Sequence, residues 1–389
     1  MNKFILAWAK DREIRKRGQC GGFVTAILKF MLEENIVDYA LLVKKGSNLE
    51  YSIFLTSNPE DVVDCAGSVL WATPNIAKFI AEYLDTNEYK IAAVCRPCDA
   101  RAIVELAKMN QINIKNVFMI GLNCSGTFLP ATLERMFETL NIRVEDVEKV
   151  GIKKDRFVVF LKDGKVETFP LEDLEKSGLG RRENCRRCEV KIPRMCDLAC
   201  GKWGVIEGKK TFVEICSDRG EIIVKKAVES GVVEFEYASD ENVKIRDELE
   251  NFALKMSEKW QDYYFGQMSS MSYEERRNYW FGMFERCIKC YACRDVCAVC
   301  YCNDCILNPW RLLVKGGEIP PSFSFHITRA VHIAQSCVNC GQCQDVCPVE
   351  IPLSRIAHKL NKTVQEIWGY IPGIRLDEKQ PLSRAENDI

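Results

Sequence analysis

Short apolar runs alternate with amphipathic stretches over the N-terminal third of the chain. The apolar runs are FILAWA, DYALLV, YSIFLT, YKIAAV and NVFMIGL, and we expect each of them to form a strand. Between them lie segments with apolar residues at helical spacing, such as FVTAILKFMLEEN, in which Phe23, Ile27 and Phe30 recur. This alternation predicts an α/β core with a mostly parallel sheet covered by helices.

From Gly151 the pattern changes to β. RFVVFLK and KVETFPL flank Asp163-Gly164, which is a strong hairpin signal, and GVI, TFVEICS and VVEFEYA follow as further predicted strands. Helical spacing then returns, in two predicted linking helices before residue 287 and in a helix over residues 325–335. We therefore predict five segments: an α/β domain over 1–148, a β-rich domain over 149–239, a helical linker over 240–286, an all-helical ferredoxin-like domain over 287–360 and a docking tail over 361–389.

Charge and hydropathy exclude several classes of protein. The 389 residues carry 54 Lys and Arg against 55 Asp and Glu, a net charge of -1, and they show no basic stripe. We therefore expect no nucleic-acid partner. No apolar run approaches the ~18 to 20 residues that span a bilayer, and the N-terminal apolar run is short for a signal peptide, so we expect a cytoplasmic protein without membrane insertion. In a reducing compartment, 21 cysteines indicate metal binding rather than disulfides.

Two cysteine runs near the C-terminus have the spacing of iron-sulfur ligands. The first is Cys287-x2-Cys290-x2-Cys293-x3-Cys297, and the second is Cys337-x2-Cys340-x2-Cys343-x3-Cys347-Pro348. In such runs three thiolates hold one [4Fe-4S] cluster and the fourth reaches a second cluster. The spacing therefore predicts two clusters with crossed ligand sets, whereas zinc sites are usually built from paired Cys-x2-Cys knuckles. The two sets are Cys287, Cys290, Cys293 and Cys347 for one cluster, and Cys337, Cys340, Cys343 and Cys297 for the other.

A further four cysteines, Cys185, Cys188, Cys196 and Cys200, fall within sixteen residues. They predict a third metal site, for which a zinc ribbon is the alternative to a cluster. Neighbouring arginines (Arg186, Arg187 and Arg194) would stabilise thiolates and the negative charge of a cluster, and this favours iron and sulfur. The sequence does not assign Cys300, Cys302 and Cys305, which follow the first run and could lie beside its cluster, form a separate metal site or pack in the core.

The predicted strand ends carry residues suited to binding a cofactor. A glycine-rich turn over residues 18–22 opens a helix, where unpaired amides favour an anion, although a merely tight turn gives the same pattern. The YKIAAV strand is followed by Cys95 and Cys98. These two residues could be a redox pair, metal ligands, cofactor contacts or buried packing residues. Ligands of α/β sheets bind beyond the carboxyl ends of strands. Cys124 is isolated in sequence, so packing is its expected role.

An ordered set of motifs over residues 18–204 resembles the β-subunit family of coenzyme F420-dependent hydrogenases and dehydrogenases. The motifs are Gly18-x-x-Gly21-Gly22-x-x-Thr25, Cys95-x-Pro97-Cys98, Gly121-Leu122-x-Cys124-Ser125-Gly126, and Cys185-x2-Cys188 followed by Asp197-Leu198-x-x-Gly201-x-x-Gly204. A ferredoxin module placed behind this core is most like the formate dehydrogenase members of the family. Ala298 departs from the usual proline after the first run and leaves the ligand spacing intact.

The resemblance implies an oxidoreductase subunit that contains FAD and a [4Fe-4S] cluster and passes a hydride to coenzyme F420 as substrate. With the two clusters predicted from the C-terminal spacing, the chain would hold three. Electrons would enter at the clusters of residues 287–347 and continue through the cluster of residues 185–200 to FAD. The residues that would line the flavin and acceptor pocket are Gly21, Gly22, Thr25, Arg96, Cys98, Asp99, Asn123, Ser125 and Gly126.

The resemblance also implies a partner, because no residue of this chain is a plausible centre for formate oxidation. The expected partner is a molybdenum- or tungsten-containing formate dehydrogenase α subunit, and a larger electron-bifurcating or disulfide-reducing complex is the further partner to test. The same core could instead serve a hydrogenase or another dehydrogenase. A flavin-free electron-transfer adaptor is a further alternative, since no phosphate fingerprint in the sequence proves nucleotide binding.

Overall fold

The computed structural model describes residues 3–308, 310–311 and 319–384. The chain divides into two compact units. The first comprises Met1–Pro74, Asp85–Pro97 and Ile114–Met256, and the second comprises Asn75–Leu84, Cys98–Asn113 and Ser257–Ile389.

The strands lie in the first unit, where eight of those described form one sheet and three form another. They are β1 (Phe4–Ala9), β2 (Tyr39–Lys45), β3 (Tyr51–Thr56), β4 (Ile91–Cys95), β5 (Val117–Leu122), β6 (Val147–Lys153), β7 (Arg156–Leu161), β8 (Val166–Pro170), β9 (Leu198–Gly201), β10 (Thr211–Ile215) and β11 (Val233–Tyr237).

The helices occur in both units. They are α1 (Arg12–Arg17), α2 (Phe23–Glu33), α3 (Pro59–Asp64), α4 (Ile76–Tyr83), α5 (Pro97–Lys108), α6 (Pro130–Thr139), α7 (Leu171–Lys176), α8 (Glu183–Arg186), α9 (Asp218–Glu229), α10 (Asp240–Ser270), α11 (Tyr273–Glu285), α12 (Ala292–Asp295), α13 (Phe323–Ala334), α14 (Gln342–Asp345), α15 (Leu353–Trp368) and α16 (Pro381–Arg384). Short 3₁₀ turns occupy Ile114–Asn116 and Val144–Asp146.

The large sheet is mixed, with the strand order β11-β1-β10-β9-β5-β4-β2-β3. Only the four neighbours β9, β5, β4 and β2 run parallel, while the pairs β2-β3, β10-β9, β1-β10 and β1-β11 are antiparallel. The α/β class is therefore correct, but the expectation of a mostly parallel sheet holds only for the centre. Apolar runs in a sequence do not reveal whether neighbouring strands are parallel or antiparallel, because a buried strand is apolar in either case.

The predicted boundary at residue 148 does not separate two folding units. β1 belongs to the predicted N-terminal domain, yet it lies between β10 and β11, with Leu6 opposite both Phe212 and Glu236. One apolar core continues across this boundary, because it joins α2 and α9 on the same face of the sheet through side chains such as Phe23 and Val224.

The antiparallel sheet β6-β7-β8 confirms the hairpin predicted at Asp163-Gly164. Leu161 N donates to Lys165 O at 2.9 Å, and Gly164 takes the left-handed conformation with a φ of 89°. This sheet packs on an apolar cluster that includes Phe128, Phe137 and Phe157.

One strand lies where the sequence predicted a ligand-bearing loop. β9 is the sequence Leu198-Ala199-Cys200-Gly201, whereas the predicted strand GVI at residues 204–206 is not one. A strand of four residues is too short for its hydrophobic pattern to be recognised in the sequence. β9 forms because its backbone pairs with both β5 and β10.

The second unit is helical over its C-terminal part. Aromatic side chains of α10 and α11, including Trp260 and Trp280, form a core cluster with Ile351 and Leu353. The helices α12 to α15 lie in the segment predicted as an all-helical ferredoxin-like domain. None of the described helices is both long and apolar enough to cross a membrane.

The predicted docking tail begins inside α15, but the chain beyond that helix does dock within the second unit. The buried carboxylate of Glu105 accepts hydrogen bonds from Tyr370 OH at 2.5 Å, Gly373 N at 2.8 Å and Gln380 Nε2 at 2.6 Å. Arg101 Nε donates to Pro372 O at 2.7 Å. Residues 385–389 of the predicted tail lie outside the described residues.

Gly373→Ala should weaken this docking more than Gly369→Ala. Both glycines have a positive φ, 72° and 63°, but a Cβ on Gly373 would overlap the Arg101 backbone, whereas one on Gly369 meets nothing within 4 Å. Each left-handed alanine costs about 1 to 2 kcal/mol, and overlap adds about 1 to 3 kcal/mol. Chemical unfolding and limited proteolysis of the two full-length variants measure the difference, and equal stabilities would contradict the docking described.

Candidate cofactor and electron-transfer site

The two C-terminal cysteine runs have the same local conformation. The residue before the second cysteine is left-handed in both runs, Lys289 with a φ of 55° and Asn339 with a φ of 52°. The residue after it is also left-handed, as Tyr291 and Gly341, and each caps a single-turn helix, α12 or α14. The two runs therefore follow the same backbone path around their second cysteine.

The thiols form two groups. Cys287 lies close enough to Cys290, Cys293 and Cys347 to interact with them electrostatically. In the same way, Cys343 interacts with Cys297, Cys337 and Cys340. These groups have the same members as the crossed sets expected from the spacing. That each group ligates a cluster stays a prediction.

Burial disfavours the thiolate form of the cysteines in both groups. Hydrogen bonds from backbone amides to the sulfur atoms partly offset this effect. Burial raises the pKa of Cys287, although Lys289 N donates to its Sγ at 3.3 Å. Ile351 N donates to Cys347 Sγ at 3.4 Å. Burial likewise raises the pKa of Cys337 to about 11. Without a compensating charge, these thiols would stay protonated.

Arg329 offsets part of the effect of burial. It is 6% exposed, its Nη2 donates to Cys293 O at 2.5 Å, and its guanidinium interacts with thiols of both groups. The neighbouring Cys293, Cys343 and Cys297 raise the pKa of Arg329, although burial opposes this, so the residue stays a cation. Its buried Nε has no hydrogen-bond partner among the described residues. An anionic group held by these cysteines would satisfy it.

The unassigned cysteines of the first run lie at its edges. Cys300 donates a hydrogen bond to Cys297, which lowers the pKa of Cys297 to about 6. Cys305 interacts with Arg294 and packs with Tyr291 and Leu307. Cys302 is exposed. These positions do not bring the three thiols together as a ligand set.

The four cysteines predicted as the third ligand set are separated. Cys196 forms a hydrogen bond with Cys95, and its Sγ would lie 2.9 Å from a Cβ on Gly121 of β5. Cys200 is fully buried in the apolar core beside α2. Cys185 and Cys188 instead lie near Cys124, whose expected role was packing.

The arginines expected to stabilise those thiolates bind other groups. Arg194 forms ion pairs with Glu214 and Glu250, and Arg186 donates to Glu175 O and Leu179 O. Arg187 pairs with Glu183. Two other cations face the thiols, namely Arg182 and Lys191.

Thiol ionisation differs between Cys124 and Cys185. Burial raises the pKa of Cys124 to about 11. Burial also opposes ionisation of Cys185, but Arg182 and two hydrogen bonds from Thr127, each 3.5 Å long, outweigh it and lower the pKa. Burial lowers the pKa of Lys191, whose Nζ has no hydrogen-bond partner among the described residues.

The predicted flavin residues of the first unit follow strands that point in one direction. β4, β5 and β9 are parallel, and β1 has the same direction because β10 is antiparallel to both β9 and β1. Asn123, Ser125 and Gly126 follow β5, while Gly21 O accepts from Ala9 N at the end of β1. β1 and β5 are three strand spacings apart, about 14 Å. Only an extended ligand could contact both ends.

The glycine turn is also required by packing. Gly22 has a φ of 74°, and a Cβ on it would lie 2.7 Å from Ile14 O. A Cβ on Gly21 would lie 2.8 Å from Ala7 O, and Gly21 N donates to Thr211 Oγ1. Thr25 is buried in α2. The tight-turn alternative thus accounts for these glycines whether or not an anion binds.

Some predicted pocket side chains already have structural partners. Arg96 Nη1 donates to Ala72 O at 2.6 Å, and its Nη2 donates to Thr73 O at 3.4 Å and to Pro74 O. Cys98 and Asp99 belong to the second unit, where the Asp99 carboxylate accepts from Ile76 N at 3.3 Å.

Asn123 is the predicted pocket residue with unused polar atoms. Both its Oδ1 and its Nδ2 are buried without a hydrogen-bond partner among the described residues. A buried amide without partners costs about 1 to 3 kcal/mol, so a polar ligand group fits this position.

Sequence reasoning missed a recess next to these residues. It encloses about 390 Å³ of space, part of it open to solvent. Ser125, Arg181, Lys154, Trp203 and Phe252 line it, so it offers two cations and two aromatic faces. No pattern in the sequence joins these residues, because they come from five separate segments.

Within the described parts of the chain, no three His, Cys, Asp or Glu side chains converge tightly enough to hold a single metal ion. A four-iron cluster is larger than one ion and holds its thiolates further apart. The unused atoms of Arg329 and Lys191, both beside groups of cysteines, fit a buried anion of that kind.

Comparison with known proteins identifies the family. Two family models for the β subunit of coenzyme F420 hydrogenase/dehydrogenase match the chain, that of its N-terminal part over residues 4–78 and that of its C-terminal part over residues 88–241. The chain belongs to the coenzyme F420 hydrogenase/dehydrogenase β-subunit family. The resemblance carried by the motifs of residues 18–204 is confirmed.

Individual relatives extend the match to nearly the whole chain. The F420-dependent formate dehydrogenase subunit beta of Methanocaldococcus jannaschii is 44% identical over 376 residues, 96% of this chain and 97% of that protein. The F420-dependent formate dehydrogenase 1 subunit beta of Methanococcus maripaludis is 42% identical over 387 residues, 98% of this chain and 97% of that protein.

A solved structure supports the fold of the core. A chain of the F420-reducing [NiFe] hydrogenase complex from Methanosarcina barkeri matches with a TM-score of 0.59 and 24% sequence identity. The match covers 69% of this chain and 92% of that chain. It supports the α/β architecture of this family member.

Arg96→Ala should destabilise the segment over residues 72–74, because it removes donors to three successive carbonyl groups. We expect a loss of about 1.5 to 3 kcal/mol in the free energy of unfolding. Arg143→Ala is the control, since that side chain is 72% exposed and its removal should change stability by no more than about 0.5 kcal/mol. Urea unfolding of both variants tests this, and equal midpoints would refute a positioning role for Arg96.

Proposed function

We propose that this chain is the electron-transferring β subunit of a formate dehydrogenase that uses coenzyme F420 as its substrate. The observation that carries the proposal is the similarity at 44% and 42% identity, over nearly the whole chain, to two β subunits of F420-dependent formate dehydrogenases. The similarity includes the cysteine runs of residues 287–347, which lie beyond both family-model matches.

We propose that Cys287, Cys290, Cys293 and Cys347 hold one [4Fe-4S] cluster, that Cys297, Cys337, Cys340 and Cys343 hold a second, and that a third lies beside Cys185 and Cys188. When bound, such clusters exchange single electrons, and a flavin exchanges electrons singly or as a hydride. The chain's own contribution is to bury thiolates beside Arg329 and Lys191, which lowers the cost of holding negative charge.

We propose that FAD binds at the edge of the large sheet where β1, β4, β5 and β9 end. The distance of about 14 Å between the ends of β1 and β5 suits a dinucleotide better than a compact ligand. The unused amide atoms of Asn123 support a polar ligand at this edge. The recess beside Ser125 and Arg181 is our candidate position for the acceptor F420.

The proposed partner is a molybdenum- or tungsten-containing α subunit that oxidises formate and donates the electrons. A place in a larger electron-bifurcating or disulfide-reducing complex is compatible with the same chemistry. The alternative donor is a hydrogenase, because the core shares its fold with a chain of an F420-reducing [NiFe] hydrogenase complex.

The test is cofactor analysis and turnover of the full chain reconstituted under anaerobic conditions. We expect about twelve irons per chain, four for each of three clusters, and one FAD. Reduced F420 should then reduce a viologen dye without formate, because the F420 half-reaction belongs to this chain. Adding the formate-oxidising partner should make F420 reduction depend on formate.

Other outcomes discriminate between the candidates. A reconstituted chain that contains iron but no extractable flavin would refute the proposal. That result would indicate a flavin-free electron-transfer adaptor instead. F420 oxidation that couples to hydrogen but not to formate would assign the donor to a hydrogenase. Salt-sensitive retention on a DNA column would favour a nucleic-acid factor instead.

Arg329→Met should shift the reduction potentials of both C-terminal clusters to more negative values. The reduced state carries one more negative charge, and the buried guanidinium beside Cys293 and Cys343 stabilises it. We expect at least about 60 mV, which is about 1.4 kcal/mol for a one-electron couple. Redox titration followed by electron paramagnetic resonance (EPR) measures the shift.

Two variants serve as controls for this experiment. Arg329→Lys keeps the charge and should shift the potentials less, whereas Arg286→Met removes an exposed cation next to Cys287 and should leave them nearly unchanged. Equal shifts in Arg329→Met and Arg286→Met would show that the buried charge has no special role.

A further inference from the structure

A cavity in the second unit lies beside the first C-terminal cysteine run. It encloses about 320 Å³ of space, part of it open to solvent. Among the described residues that line it, Cys293 is the only cysteine, and His326 and Arg329 are the only other polar side chains. The remaining lining side chains are apolar, for example Phe284 and Leu353. Because Cys293 belongs to the first proposed ligand set, the cavity adjoins that set.

Ring stacking holds His326 next to the same run. The imidazole lies parallel to the ring of Phe284, with the centroids 4.1 Å apart and an interplanar angle of 4°. Phe284 is joined to the first cysteine of the run, because its carbonyl oxygen accepts from Cys287 N at 3.0 Å. The orientation of the imidazole is therefore fixed by a residue that also positions a proposed ligand.

Helix geometry adds a second link to the run. His326 and Arg329 are three residues apart in α13, so they lie on the same face of that helix. Arg329 Nη2 donates to the carbonyl oxygen of Cys293 at 2.5 Å. This face of α13 therefore packs against the backbone that carries the third cysteine of the run.

The two polar side chains of the cavity each have a buried nitrogen atom without a hydrogen-bond partner among the described residues. These atoms are His326 Nε2 and Arg329 Nε, and both residues are 6% exposed. A buried polar nitrogen without a partner destabilises a fold. The apolar side chains around the cavity offer no acceptor, whereas sulfur at Cys293 can accept a hydrogen bond.

His326 and Arg329 differ in which cysteines they reach. The Arg329 guanidinium interacts with thiols of both C-terminal groups. The contacts of His326 described above are to the first run alone, through Phe284 and the cavity that contains Cys293. A hydrogen bond acts only over a few ångströms, so a bond from His326 would distinguish the first group from the second.

We infer that His326 Nε2 donates a hydrogen bond to sulfur of the first cluster, on the side of Cys293, and that His326 thereby makes the potential of this cluster alone less negative. The inference rests on the proposed function in that the first cysteine group holds a [4Fe-4S] cluster. A hydrogen bond to sulfur stabilises the reduced state, which carries one more negative charge.

Pulsed EPR of the reduced, anaerobically reconstituted full chain tests the hydrogen bond directly. The chain has three histidines, so labelling them with ¹⁵N introduces few labelled sites. We expect a ¹⁵N hyperfine coupling on the signal of the first cluster, and Cys290→Ser identifies that signal because it changes a ligand of that cluster alone. The coupling should disappear in His326→Phe and persist in His332→Phe, the control, since His332 is exposed on the same helix.

Redox titration of the same variants measures the effect on the potential. His326→Phe keeps a ring that can stack on Phe284 but has no N–H group. We expect its first cluster to become about tenfold harder to reduce, a shift of about 59 mV to more negative potential, while the second cluster is unchanged. His326→Gln keeps an amide donor and should shift the potential less.

Several results would overturn the inference. They are the absence of ¹⁵N coupling in the unsubstituted chain, a coupling that persists in folded His326→Phe, and equal shifts of both clusters in that variant. Coupling to exchangeable deuterium without coupling to ¹⁵N would identify water as the donor and would also overturn it. Circular dichroism and iron content show whether each variant is intact. If His326→Phe does not fold, the coupling in the unsubstituted chain and its loss in His326→Gln decide.

Flavin content and F420-dependent dye reduction of the unsubstituted chain are measured separately. A chain without flavin that shows the ¹⁵N coupling, and loses it in His326→Phe, would refute the proposed function and support the role of His326. Full flavin content and F420 activity without any ¹⁵N coupling would do the reverse.

Discussion

Holding thiolates inside a protein requires buried positive charge, and much of this structure depends on that requirement. Arg329 stands beside both C-terminal cysteine groups, and Lys191 stands beside Cys124, Cys185 and Cys188. Each cation carries a polar atom that no described residue satisfies. Arg329 stays charged although it is buried, whereas burial lowers the pKa of Lys191. An anionic group beside either residue would stabilise its charged form.

The sheet provides the second constraint. Although only its centre is parallel, β1, β4, β5 and β9 all run in the same direction, so segments far apart in sequence end at one edge. The glycines after β1 allow the backbone to pack closely there, and Asn123 after β5 keeps unused polar atoms at this edge. Because these strands end at the same edge and are several strand spacings apart, the edge suits an extended cofactor better than a compact one.

Sequence patterns were most reliable where the relevant residues are close together in the chain. Most of the strands and the Asp163-Gly164 hairpin follow from local patterns, and the motifs before residue 204 identified the family. Patterns did not reveal partners that are distant in the chain. The Arg96 guanidinium donates to carbonyl groups more than twenty residues earlier, which no local motif indicates.

The sequence alone determined the α/β class and the family, because apolar periodicity and short motifs are local features of the chain. The two crossed cysteine sets stay a prediction from the spacing. Tertiary structure alone decided the strand directions and the fate of the other cysteines. Cys196 and Cys200 are neighbours in sequence, yet β9 places them on opposite faces once it pairs with β5 and β10. Cys124 meets Cys185 only because two distant segments end side by side, and no local pattern encodes that meeting.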